Sequence, residues 1–307
     1  MKISVIGAGN VGGTTAMRLA EEGLGDIFLL DIAPGLAKGK ELDLEDSRAV
    51  LKHNFYVQGS EDIKEVKDSD IVVMTAGLAR KPGEKREDLA KKNFAILKDV
   101  CLNIKQSSPS AIVIIVTNPL DLMTYFALKV TGFSPSKLFG MGVSLDASRF
   151  ANLIAKELKV SPVDVEATVI GIHGEGMLPL PRFTNVKGVP LDKFLKEDKI
   201  TELTKKTVAR GAEIVSLLRM GSAYYAPSAA IAGIVKAIAK DEKRTIAVSA
   251  YLDGKYGIKD VCLGVPCRLG KLGIEEIIEL DLTMQEKEIL SKSAENLKVQ
   301  YKSIYGL

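Results

Sequence analysis

The chain has 307 residues, 46% of them hydrophobic and 26% charged, with a formal net charge of +3. That length accommodates about two domains, each able to bury a core, and the interspersed Lys, Arg, Asp and Glu exclude a basic block for nucleic acid and suit a small anionic ligand. No apolar stretch reaches the roughly 18 residues of a membrane span, and Cys101, Cys262 and Cys267 have no spacing for a disulfide framework or a zinc site, so a reduced, soluble, cytoplasmic protein with no metal, membrane or nucleic-acid partner is expected.

The opening "MKISVIGAG" runs straight into a strand at 2–7 rather than forming an export leader. A helix follows over 11–23, then a strand at 26–31, a long amphipathic helix over 35–53 and a short strand in "FYVQGS". The apolar run "DIVVMTA" (70–76) leads into "LARKPGEKRED" (78–88), which holds seven charges in eleven positions around Pro82-Gly83. A helix over 88–106, the strand "AIVIIVTN" (111–118) and a helix through "LDLMTYFALK" continue the alternation. Strands apolar on both faces that alternate with helices predict an α/β, Rossmann-type doubly wound parallel sheet over residues 1–143.

From about residue 144 the pattern changes. A helix over 147–159, the segment "DVEATVIGIHG", helices at 200–218 and 222–239, strands in "RTIAVSAYLDG" and "VCLGVPCRLG", and a last helix over 284–304 predict a C-terminal α+β substrate domain over 144–307. No repeat or low-complexity linker separates the halves, so tight packing between them is expected.

"GAGNVG" places Gly7, Gly9 and Gly12 in GxGxxG spacing between the first strand and the first helix. The glycines allow a tight turn, close backbone approach to a pyrophosphate and close helix–strand packing, and the helix N-terminus offers free N–H groups to phosphate. Asp31 ends the next strand, nineteen residues after Gly12. An acid there accepts from both ribose hydroxyls; a strand-end helix cap is its other reading. It also repels a 2′-phosphate, and Ile32, Ala33 and Pro34 supply no arginine to hold one, so NAD is expected over NADP.

Of the two histidines, His53 lies between Lys52 and Asn54 at a helix end and reads as a surface residue. His173 stands between glycines at the end of an apolar strand, where a structural histidine and an acid/base both fit. "SLDASRF" sets Asp146 and Arg149 three apart at a helix start, on one face. A carboxylate against a histidine raises its pKa and fixes its tautomer, and an arginine beside it can fork onto a carboxylate.

The segments "GAGNVGG", "TAGLARKPGEKRED", "VTNP", "SLDASRF", "GIHGEGMLPLPRF" and "GSAYYAP", with Asp31 at its strand end, together resemble the lactate/malate dehydrogenase family in family order over essentially the whole chain. The resemblance implies that His173 is the acid/base, that Asp146 holds its imidazolium, and that Arg149 grips the C1 carboxylate of a 2-hydroxy acid. It implies that Arg86 polarises the substrate carbonyl from a mobile lid and that Asn118 bonds the substrate oxygen and the nicotinamide ribose. Cofactor contacts are implied at Gly7, Gly9, Asn10, Val11, Gly12, Asp31, Thr75, Ala76, Gly77, Asn93, Val116 and Asn118.

Arg80 occupies the family's substrate-discriminating position, where malate-type members carry Arg and lactate-type members Gln; Ala223 matches a position where lactate-type members carry Thr. Both clues favour a dicarboxylate substrate, with lactate or another 2-hydroxy acid as the alternative. Ile172 and Glu175 depart from many members. "ELDLEDS" (41–47) resembles the subunit-contact helix but does not itself fix the oligomeric state; the family resemblance implies a homotetramer, with a dimer next. Two readings from other classes are an NAD-using glycosidase, which needs a metal held by Cys and His, and a non-catalytic NAD-binding sensor.

Overall fold

A computed structural model describes residues 1–78, 86–219 and 221–305, with residues 86–88 described as backbone only. The first half alternates β1 (Lys2–Ile6), α1 (Asn10–Glu21), β2 (Asp26–Leu30), α2 (Leu36–Leu51), β3 (Val57–Ser60) and β4 (Ile71–Met74). It continues with α3 (Arg86–Ser107), β5 (Ile112–Ile115), α4 (Leu120–Thr131) and β6 (Leu138–Gly140). These six strands pair in parallel in the order β3-β2-β1-β4-β5-β6. Every residue of β4 and β5 is buried, because helices cover both faces of a parallel sheet.

The second half begins with α5 (Ser144–Leu158), then β7 (Val165–Glu166), β8 (Val169–Gly171), β9 (Met177–Pro179), β10 (Asn185–Val186) and β11 (Val189–Pro190). Next come α6 (Glu197–Leu218), α7 (Tyr225–Ala239), β12 (Arg244–Asp253), β13 (Lys259–Gly270), β14 (Gly273–Ile277) and α8 (Met284–Tyr305). The sequence reading has no counterpart for β6, β14 or the small sheet β11-β10-β7. Nor does it foresee that the parallel sheet continues across the seam. Strand β12 joins β6 antiparallel through Ser249 and Gly140, and β13, β8 and β9 extend the sheet beyond it.

Helix α7 reaches back to pack on α1, where Arg18 Nε donates to Ser228 Oγ at 3.0 Å. His53 is not a plain surface residue: its ring packs 5.3 Å from that of Phe55 and its Nδ1 is buried. All three cysteines are buried. Among the described residues no helix is long and apolar enough to cross a membrane.

Candidate active site

At the carboxyl end of β1 the chain makes the turn that its glycines demand. Gly7 has φ +98°, and a Cβ on Gly12 would stand 1.7 Å from Gly7 O, so helix and strand approach as no other residue permits. Thr75 Oγ1 donates to Ile6 O at 2.9 Å and to Gly7 O at 3.0 Å, tying β4 to the turn. A Cβ on Gly9 would meet nothing within 4 Å, so the turn opens outward. Gly9 is the N-cap of α1, and Asn10 and Val11 begin the helix.

Asp31 stands at this mouth. Its Oδ2 accepts from Ala8 N at 2.6 Å and its Oδ1 from Ala33 N at 2.9 Å, while Ile32 beside it is 92% exposed. An open glycine turn, a helix N-terminus and a fixed acid at the next strand end fit the pyrophosphate and adenosine ribose of a dinucleotide.

The floor of the same cleft is held by Asn93, 1% exposed on α3. Its Oδ1 accepts from Leu78 N at 2.7 Å and its Nδ2 donates to Asn118 O at 2.9 Å. Thr117 Oγ1 donates to Ala76 O at 2.6 Å, and a Cβ on Gly77 would stand 2.6 Å from Thr117 Cγ2. Thus Ala76, Gly77 and Asn118 are drawn together by bonds that span two strand ends, beside the buried Val116. Asn93 spends its side chain on backbone groups, so it shapes the cleft.

Across the seam, His173 follows β8. Its Nδ1 lies 2.7 Å from Asp146 Oδ2, and Asp146 is 0% exposed in the first turn of α5. The carboxylate accepts only, so Nδ1 carries the proton of this bond and Nε2 is the exchanging nitrogen. Asp146 Oδ1 also accepts from Arg149 Nη1 at 2.9 Å. The Arg149 side chain is 11% exposed, and its buried Nε has no hydrogen-bond partner among the described residues. Its guanidinium lies against α6, where a Cβ on Gly211 would come 3.4 Å from Nη1.

Burial disfavours a charged imidazole here, but the hydrogen bond from His173 to Asp146 and the nearby carboxylate charge outweigh it, so the His173 pKa is raised. Asp121 completes the setting. It lies in the first turn of α4, its Oδ2 accepting from His173 N at 2.8 Å and its Oδ1 from Ser249 Oγ at 2.5 Å. This buried acid from the first half thereby fixes the histidine's backbone to β12, which pairs with β6. Sequence reasoning passed over it because an acid in a first helical turn is ordinary; the signal was its place in an otherwise apolar helix.

The structure therefore brings His173, Asp146 and Arg149 into one cluster. Arg86 is the first residue of α3, with its side chain outside the description, and Arg80 lies outside the described residues altogether. Ala223 is half-buried just before α7.

A dinucleotide turn joined to such a cluster defines a nicotinamide-dependent oxidoreductase. Residues 1–140 match the lactate/malate dehydrogenase NAD binding domain, and residues 143–305 the lactate/malate dehydrogenase alpha/beta C-terminal domain. The chain is 53% identical over 298 residues to a malate dehydrogenase of Methanosarcina mazei, covering 97% of each chain. Its fold matches the apo malate dehydrogenase of Picrophilus torridus with a TM-score of 0.95 at 43% identity, covering 99% of this chain and 97% of that one. The lactate dehydrogenase of Cryptosporidium parvum, complexed with lactic acid and nicotinamide adenine dinucleotide, matches with a TM-score of 0.95 at 37% identity, covering 100% of this chain and 98% of that one. The chain belongs to the lactate/malate dehydrogenase family.

Proposed function

We propose that this chain is an NAD-dependent malate dehydrogenase that interconverts (S)-malate and oxaloacetate. The observation that carries the chemistry is the pair of contacts that Asp146 makes with His173 and Arg149, in a chain that also builds an open dinucleotide turn. The choice of malate rests on Arg80 and Ala223 in the sequence and on relatives that bear that name. Residues 1–143 serve in this reading as the NAD-binding domain and 144–307 as the substrate domain.

In the direction of reduction, Arg149 holds the C1 carboxylate and Arg86 polarises the carbonyl. The turn of Gly7, Gly9 and Gly12 with Asp31 would hold the reduced dinucleotide, which when bound would supply the hydride for the carbonyl carbon. His173 delivers the proton from Nε2 to the oxygen, and Asp146 compensates the imidazolium until that transfer. In oxidation the same nitrogen takes the hydroxyl proton. Asn118 orients the oxygen; the loop that the family resemblance makes a lid falls on residues 79–85, outside the described residues.

NADH oxidation measured with oxaloacetate, pyruvate and a longer 2-oxo acid tests the reading. Oxaloacetate is expected to lead by orders of magnitude in kcat/KM; equal or faster turnover of pyruvate would replace the malate assignment with the lactate one. The family assignment leaves the glycosidase reading without support.

The raised His173 pKa gives a second expectation. Reduction requires the protonated imidazole, so its kcat/KM falls as pH rises through a pKa above the ordinary value of about 6.5. Asp146→Asn removes the charge that holds the proton, so the fall moves to lower pH and turnover drops. A pH profile whose midpoint ignores that substitution would remove Asp146 from the mechanism.

The same reading places the protein in the cytoplasm, in the tricarboxylic acid cycle, as a homotetramer with a dimer as the alternative. What supports assembly is α2: Leu42, Val50 and Leu51 stand exposed on the helix that holds "ELDLEDS".

A further inference from the structure

Lys40 belongs to α2, but its side chain leaves that helix and lies across the first turn of α1. Its Nζ donates to Gly9 O at 3.0 Å. A Cβ on Gly13 would stand 2.6 Å from that Nζ and 2.9 Å from Lys40 Cδ. Gly13 lies one residue beyond the dinucleotide fingerprint, which has no use for it; the lysine stem explains it, because any side chain there would displace the ammonium.

The position is specific within the cofactor turn. The carbonyl of an N-cap residue points into its helix, while the free N–H groups point out toward a pyrophosphate. Gly9 O indeed accepts from Gly13 N at 2.9 Å. An ammonium on that carbonyl therefore stands off the pyrophosphate seat, one residue along the turn from Ala8, whose N binds Asp31 Oδ2. Burial lowers the Lys40 pKa, and the Asp31 carboxylate acts in the opposite sense as the next influence. An ammonium has three donors, and among the described residues Lys40 makes one hydrogen bond, to Gly9 O.

We propose that Lys40 is a cofactor-selecting residue whose ammonium can pair with a 2′-phosphate on the adenosine ribose, so that it tempers the rejection of NADP(H) by Asp31. This rests on the dinucleotide reading of the glycine turn. It also changes an expectation drawn from the residues after Asp31: the cation they lack is supplied from α2.

Binding, read from the fluorescence of the reduced cofactors themselves, tests it without turnover. The chain has no tryptophan, so the nicotinamide signal stands alone. The unaltered protein should bind NADH more tightly than NADPH. Lys40→Met, which keeps an apolar stem over Gly13, should raise the NADPH Kd roughly 5- to 20-fold, between the values for an exposed pair and a charge-assisted hydrogen bond, and the NADH Kd less than about 2-fold. Lys40→Arg should restore NADPH binding, and the difference should shrink with added salt. Lys40→Gln, which keeps a donor for Gly9 O without the charge, gives the same reading should Lys40→Met fold poorly. Equal losses for both cofactors, or none, would overturn the proposal. Failure of the unaltered protein to bind NADH would instead strike the dinucleotide reading itself.

Discussion

His173→Asn is expected to lower turnover of oxaloacetate about 10²- to 10⁴-fold, the contribution of a positioned acid/base, while NADH binding stays near that of the unaltered protein. The reason lies in the atoms. Asparagine can still donate its backbone N–H to Asp121 and can place an amide near Asp146, so the local shape survives. It has no group that titrates near neutrality, so the carbonyl oxygen must take its proton from water. The dinucleotide turn stands on β1, β2 and α1, across the seam from His173, and should not register the change. Titration of NADH fluorescence beside steady-state rates separates the two effects. A variant with near-normal turnover would mean that the proton comes from elsewhere.

Arg80→Gln is expected to lower kcat/KM for oxaloacetate roughly 30- to 5,000-fold and to leave pyruvate far less affected. Oxaloacetate carries one more carboxylate than pyruvate, and in a closed, water-poor site that charge needs a partner. Removing one member of a buried charge pair costs about 2–5 kcal/mol, and each 1.36 kcal/mol or so is tenfold in rate. Pyruvate gains if anything, since its methyl group no longer faces an uncompensated guanidinium. Arg86→Gln supplies the contrast. In the proposed mechanism it serves the reacting carbonyl shared by both substrates, so its loss should slow both alike. Were Arg80→Gln to depress both substrates equally, Arg80 would be a part of the lid's structure and the malate assignment would lose its main sequence support.

The parallel half was legible because its signals are local. Strands such as "IVVM" and "IVII" are buried on both faces, and the helices between them are amphipathic, so period and burial agree within each segment. The extension of the sheet was not legible: Ser249 pairs with Gly140 across more than a hundred residues, and the three residues of β6 carry no period. The same division holds in the site. His173, Asp146 and Arg149 lie in compact motifs whose chemistry reads from residue type. Asp121 and Lys40 do not, because each acts on a partner that only the fold brings near: the His173 N–H for one, Gly9 O for the other. His53 was misread for a similar reason: its ring packs against that of Phe55 and its Nδ1 is buried.

The burial of all three cysteines makes the protein chemically quiet. Desolvation pushes the Cys101 and Cys267 thiols up to about 12 and Cys262 well above its ordinary value, so at neutral pH none offers the thiolate that attacks alkylating reagents and disulfides. With no tryptophan either, the native chain is a blank background for reporters. One cysteine introduced at Ile32, 92% exposed beside Asp31, would be the single cysteine that a maleimide dye could label, and its signal on adding cofactor would test whether the adenosine arrives there.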